Sequence, residues 1–148
     1  ILTTPYKNAR TVFDPNFFGT FLFIREVSKV MVKQKLGSIV NYTTVAVPLD
    51  LEGEAVYAAS KAAIESLTRI SAKELGQFGI RVNAVGPTPV KTDLIRNVPE
   101  TKLQKLLNQQ ALQRFGEFDD VVNVIDFYNS EKSNFITGQT LYLGGVVK

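Results

Sequence analysis

Two hydrophobic periods, one helical and one extended, take turns along this chain. Over residues 5–35 the apolar positions Val12, Phe13, Phe17, Phe21, Ile24, Val27, Val30 and Met31 recur mostly at intervals of three and four, which predicts a long amphipathic helix. Thr4 and Pro5 stand where an N-cap and a first helical residue belong. Pro15 interrupts the pattern: its ring removes an amide donor and crowds the carbonyl of Thr11, predicting a kink at Pro15–Asn16. After Gly37 comes "SIVNYTTVAV", a β-branched run suited to a strand covered on both faces. A second amphipathic helix spans 55–75, stopped by Gly76 and Gly79, and a second buried strand, "IRVNAVG" at 80–86, is closed by "PTP" at 87–89. Helical patterns return at 99–114, with Leu103, Leu106, Leu107 and Leu112 facing one way, and at 118–130. "GQTLYLGG" at 138–145 reads as a last strand.

Strands separated by helices need crossover connections and therefore run parallel. The expected class is α/β, an open sheet with helices on both faces, forming one domain over 1–148 without internal repeat or linker. Ligands in such sheets bind at the carboxyl ends of strands. Here those ends are "YTTVAV" and "VGPTPVKT", both beside the start of the 55–75 helix. Thr43, Thr44, Tyr57, Lys61, Pro87 and Thr92 thereby converge on one crevice.

Composition changes this picture mainly through what is missing. The 148 residues include no Cys and no His. That excludes disulfides, thiolate nucleophiles, Ser-His-Asp hydrolysis and Cys- or His-ligated metal, so no metal is expected. Proton transfer falls to Tyr, Lys or a carboxylate with a shifted pKa. The net charge of +3 comes from scattered basic residues rather than a stripe, which argues against nucleic acid. The longest nearly unbroken apolar stretch, "FFGTFLFI" at 17–24, falls well short of the roughly 18–20 residues that span a bilayer. With no signal-peptide layout at the start, a cytoplasmic location away from membranes is expected. Beginning at Ile1 without Met, the chain reads as a piece of something longer.

"EAVYAASKAAIES" at 54–66 places Tyr57 and Lys61 four residues apart, which stacks them on one helical face. Alone, the pair is also compatible with an ordinary helix Tyr and a Lys reaching for solvent. Its chemical value lies in electrostatics. A phenol with pKa about 10 exchanges protons poorly at neutral pH. An ammonium about 4 Å from the phenolate contributes on the order of 4 kcal/mol at an effective dielectric of 20, enough to draw that pKa toward neutrality.

From Pro15 to the end, the chain resembles the short-chain dehydrogenase/reductases. "FDPNFFGTF" resembles the helix carrying that family's active-site Asn, "GSIVNYTTV" the strand ending in its active-site hydroxyl residue, and "YAASKAAI" its Tyr-x-x-x-Lys helix. "IRVNAVGPTPVKTDL" is similar to the strand and Pro-Gly turn that touch the nicotinamide, and "FITGQTLYLGG" to the closing strand. Asn16, Thr44, Tyr57 and Lys61 lie 28, 13 and 4 positions apart, the spacing of the family's catalytic tetrad.

The resemblance implies a Rossmann-type doubly wound sheet and an NAD(P)H-dependent oxidoreductase that reduces a carbonyl or oxidises the alcohol, with 3-oxoacyl-acyl-carrier-protein reductases the nearest-looking branch. In it Tyr57 is the acid/base. Lys61 tunes the phenol and bonds the nicotinamide ribose, Thr44 is the hydroxyl partner, and Asn16 anchors a water leading to the Lys. Pro87, Val90 and Thr92 match positions that contact the cofactor, NADPH or NADH. Residues 93–116 match a flap over a small carbonyl or alcohol substrate. Residues 5–35 and 55–75 correspond to helices on which members build homotetramers or dimers. Read from the residues alone, Asn16 also fits a helix cap, 87–92 an ordinary loop, and the leucines of 94–107 core packing.

Three departures stand out. Thr44 replaces the usual Ser; its hydroxyl has the same hydrogen-bonding capacity, but its methyl narrows the space above the strand. Thr88 replaces the Gly of the Pro-Gly turn, putting a β-branched residue at a permissive backbone position. The family's glycine-rich phosphate turn has no counterpart in these residues, so the amino-terminal half of the nucleotide site is missing from them. The alternative expectation is accordingly a catalytically incompetent fragment or pseudoenzyme that serves as a binding or assembly subunit.

Overall fold

The computed structural model describes residues 1–96 and 98–146, without the side chain of Leu94. Three strands, β1 (Gly37–Tyr42), β2 (Ile80–Gly86) and β3 (Thr140–Tyr142), form a parallel sheet in the order β1-β2-β3. Gly37 pairs with Ile80 and Tyr42 with Val85 across the first ladder; Ala84 pairs with Thr140 across the second. The parallel α/β expectation therefore holds.

Alternation along the strands assigns the two faces. Ile39, Ile80 and Val82 pack with Ile24 of α2 (Gly19–Gln34) and Ala72 of α3 (Ala55–Gly76). Ser38 and Arg81 instead donate to the Tyr128 carbonyl of α5 (Phe118–Asn129), at 2.9 and 2.6 Å. Helices thus cover both sides. Gly79 turns α3 into β2 at φ 73°, where a Cβ would stand 2.6 Å from the Lys35 carbonyl oxygen.

The long first helix is interrupted where Pro15 predicts. α1 (Tyr6–Phe13) passes into a π-helical turn, Asp14–Phe18, before α2 begins. The turn closes when the Gly19 amide donates to the Asp14 carbonyl, a five-residue step that absorbs the donor proline lacks. Pro5, in extended conformation, is the N-cap, so helical geometry starts one residue later than expected and Thr4 caps nothing.

Three further boundaries differ, the first being the last strand, which covers Thr140–Tyr142 rather than 138–145. β1 ends at Tyr42 rather than continuing to Val47: Val47 donates back to the Thr44 carbonyl in a turn, and Val45 packs against Leu106 and Val146. The apolar run 45–47 was fed by core packing of a loop, not by a longer strand. The predicted 99–114 helix stops as α4 (Glu100–Leu107): the Gln109 and Gln110 amides turn back to the Leu106 and Leu107 carbonyls, and the Leu112 amide goes to the Gly144 carbonyl at 3.0 Å. Leu103, Leu106 and Leu107 are buried core residues, whereas Leu112 is exposed. Among the described residues no helix is long and apolar enough to cross a membrane.

Candidate active site

Tyr57 lies in the first turn of α3 and Lys61 one turn later, both half-buried. Lys61 Nζ sits 5.9 Å from the centre of the Tyr57 ring, over its face, and donates to the Tyr42 carbonyl at the end of β1 at 3.2 Å. Burial pulls Lys61 below its ordinary value. Burial also pushes the Tyr57 phenol upward; the Thr44 hydroxyl beside it acts in the opposite direction, and the Glu54 carboxylate adds to the rise. This corrects the expectation that the cation lowers the phenol's pKa in the protein alone. Burial is the largest influence on the phenol, and the ammonium makes its hydrogen bond to the Tyr42 carbonyl, so desolvation dominates.

Thr43 and Thr44 separate in role at the end of β1. The Thr43 amide continues the ladder to the Val85 carbonyl at 2.9 Å, and its hydroxyl turns to Glu65 of α3 at 2.6 Å. Thr44 Oγ1 accepts from the Ala46 amide at 3.3 Å on the side of Tyr57. Asn16, in the π-turn, donates from Nδ2 to Ser60 Oγ at 3.1 Å, and Ser60 donates to the Tyr57 carbonyl at 2.7 Å. The Asn16 carbonyl itself accepts from Thr20 Oγ1 at 2.7 Å. Asn16, Thr44, Tyr57 and Lys61 are thus brought together.

Pro87 joins them through its carbonyl, which accepts from the Val45 amide at 3.2 Å. Val90 forms an isolated parallel bridge with Gly116, and Thr92 is the extended residue before the 3-10 turn Asp93–Ile95. Thr88 is buried against Gly116 and Gly144 and does not carry a positive φ, so the β-branched replacement strains nothing at this turn. A hollow of about 420 Å³ lies along Ala55, Ala58, Ala59 and Ala62 of α3, and another of about 450 Å³ lies between Val90, Lys91 and Phe115. Neither is lined by Thr44, Tyr57 or Lys61.

Pattern reading passed over three residues. Ser60 links Asn16 to Tyr57; Glu65 is buried; Tyr142 donates its hydroxyl to Glu65 at 2.6 Å. A carboxylate four residues past Lys61 on the inward helical stripe was the available signal.

The donor set suits the nicotinamide-ribose end of a dinucleotide. Lys61 has three N–H donors, and the structure gives it one carbonyl and no ion pair among the described residues. A ribose diol would supply acceptors for the remainder. The phosphate end has no glycine-rich turn in these residues to receive it.

Comparison with known proteins agrees with this geometry. Residues 1–146 match the family described as enoyl-(acyl carrier protein) reductase. A 3-oxoacyl-[acyl-carrier-protein] reductase FabG of Staphylococcus epidermidis is 37% identical over 134 residues, covering 90% of this chain and 55% of the relative. A 3-oxoacyl-[acyl-carrier-protein] reductase of Synechocystis is 36% identical over 146 residues, covering 98% and 58%. The chain thus spans little more than half the length of these relatives. Among solved structures, a 3-oxoacyl-[acyl-carrier protein] reductase of Brucella melitensis with bound NAD superposes with TM-score 0.87 at 32% identity, covering all of this chain and 55% of that one. With the tetrad spacing, the parallel sheet and these likenesses together, the chain belongs to the short-chain dehydrogenase/reductase family.

Proposed function

We propose that these residues form the catalytic part of an NAD(P)H-dependent oxidoreductase that reduces a carbonyl, or oxidises the corresponding alcohol, with Tyr57 as acid/base. The observation that carries the reading is the placement of the Thr44 hydroxyl beside the Tyr57 phenol with the Lys61 ammonium over the same ring. When bound, a reduced nicotinamide supplies the hydride. The chain's own residues handle the oxygen. Tyr57, held protonated by burial, donates its O–H to the substrate oxygen as charge develops there, and Thr44 donates a second hydrogen bond to that atom. Lys61 holds the ribose and stabilises the phenolate that Tyr57 becomes.

Asn16 fixes the backbone under this pair through Ser60, and 87–92 line the nicotinamide side. The likeness to 3-oxoacyl reductases supports the 3-oxo group of an acyl thioester as the substrate carbonyl, with residues 93–116 as the flap above it. A homo-oligomer is the assembly we infer.

Fluorescence titration with NADH and NADPH, followed by turnover of a short 3-oxoacyl thioester, tests the reading in a subunit containing these residues together with a nucleotide-binding half. Saturable binding and consumption of the reduced cofactor are expected. Absence of both in a folded subunit overturns it and leaves the non-catalytic assembly role.

A further inference from the structure

A buried carboxylate is costly unless its oxygens are satisfied. Glu65 is only 5% exposed. Its Oε1 accepts two short hydrogen bonds, from Thr43 Oγ1 and from the Tyr142 hydroxyl, each 2.6 Å long. Thr43 follows β1; Tyr142 ends β3, and its ring packs on Gly86, the last residue of β2. One carboxylate oxygen therefore gathers the carboxyl ends of all three strands and ties them to the helix carrying Tyr57 and Lys61. Thr43 Oγ1 also lies 3.5 Å from the Lys61 carbonyl, so the tie reaches the backbone of the reactive turn itself.

We propose that Glu65 is a positioning residue for the Tyr57 site, setting the distance between Thr44 and Tyr57 by clamping the residue before Thr44 to α3. An apolar side chain would fill the same space without partners, so the volume alone does not call for a carboxylate. Charge-assisted bonds to two hydroxyls supply direction as well as contact. Thr44 inherits its orientation from Thr43, and the turn beginning at Pro87 inherits its place from Gly86 beneath the Tyr142 ring. The inference rests on the assignment of Tyr57 as acid/base.

The test compares Glu65→Leu, Glu65→Gln and Tyr57→Phe in the catalytically competent subunit containing these residues. Misplacing reacting groups by a fraction of an ångström to an ångström lowers turnover steeply, so Glu65→Leu is expected to lose about ten- to a hundredfold in kcat. Its KM for the dinucleotide should change by less than about twofold. Glu65→Gln, which keeps an oxygen able to accept both hydroxyls, should recover most of the lost kcat. A Glu65→Leu enzyme with unchanged kcat, or one whose only defect is thermal stability or KM, overturns the proposal. Should Glu65→Leu fail to fold, Thr43→Val and Tyr142→Phe each remove one donor while keeping its shape. Losses in kcat with steady KM in both uphold the proposal, and unchanged kcat in both overturns it. If Tyr57→Phe retains turnover, the reading of the site itself fails; if it is inactive while Glu65→Leu is fully active, only the role of Glu65 falls.

Discussion

Asn16 and Ser60, 44 residues apart in the chain, are joined side chain to side chain at 3.1 Å, and Ser60 passes the connection to the Tyr57 carbonyl. The π-turn and the reactive helix are therefore one hydrogen-bonded unit. Replacing Asn16 by Ala leaves the fully buried Ser60 hydroxyl its acceptor but removes its donor partner. A loss of about 0.5–1.5 kcal/mol of stability is expected from that bond, measured by urea denaturation with unchanged m-value.

Tyr57→Phe keeps the ring and removes the transferable proton. Turnover should fall by about 10²–10⁴-fold, with dinucleotide affinity close to the parent's, as read from steady-state rates and fluorescence titration. Thr44→Ser keeps the hydroxyl and should retain turnover, whereas Thr44→Val should lose most of it.

The buried phenols set an alkaline limit to the fold. Tyr57, Tyr128 and Tyr142 all have pKa values raised by burial above the ordinary 10.0. A group whose folded pKa is raised contributes stability that is complete below its unfolded value and lost as pH rises through the folded one. Stability should therefore decline above about pH 10, and these three phenolates should appear together with the loss of helical circular dichroism. Lys61, lowered by burial, acts in the opposite sense, so the decline is the excess of the tyrosines over it. Phenolate absorbance that rises fully while the helical signal stays intact would contradict this.

Gly86→Ala should disturb the clamp from below. The added Cβ meets the Tyr142 ring, whose hydroxyl holds Glu65. Overpacking of this kind costs about 1–3 kcal/mol, visible as a lower thermal midpoint.

Self-association is expected through the first helices. Phe18 is 49% and Phe23 70% exposed, and Leu22 and Val30 are exposed alongside them. Sedimentation at micromolar concentration should give a mass above that of one chain, reduced by Phe23→Asp; a monomeric mass would remove this inference.

How much of this was legible beforehand depends on the kind of signal. The parallel sheet followed from alternating periods, and the break at Pro15 from one missing amide; both are local chemistry. Tyr57 and Lys61 were visible because helical spacing fixes their shared face. The shift on Tyr57 was not, since its sign depends on where the ammonium points and how deeply the phenol is buried. Glu65 looked like any helix glutamate until Thr43 and Tyr142, 22 residues before it and 77 after, were placed beside it. Val45–Val47 suited a strand by composition, and only Leu106 and Val146 reveal why the same residues suit a buried loop.

The π-turn at Asp14–Phe18 has an angular consequence. Such a turn accommodates one more residue than an α-helical turn, and each residue of an α-helix advances the face by about 100°. Were the same residues wound straight through as an α-helix, the extra residue would swing α1 around its axis relative to α2 by roughly a quarter of a revolution. Asn16 would leave Ser60, and Phe18, now in ring contact with Phe13 and Phe17, would be turned away from Phe13. The bulge works as a phase adjuster, and the amide that reaches the reactive helix exists at that angle only because the winding is locally wide.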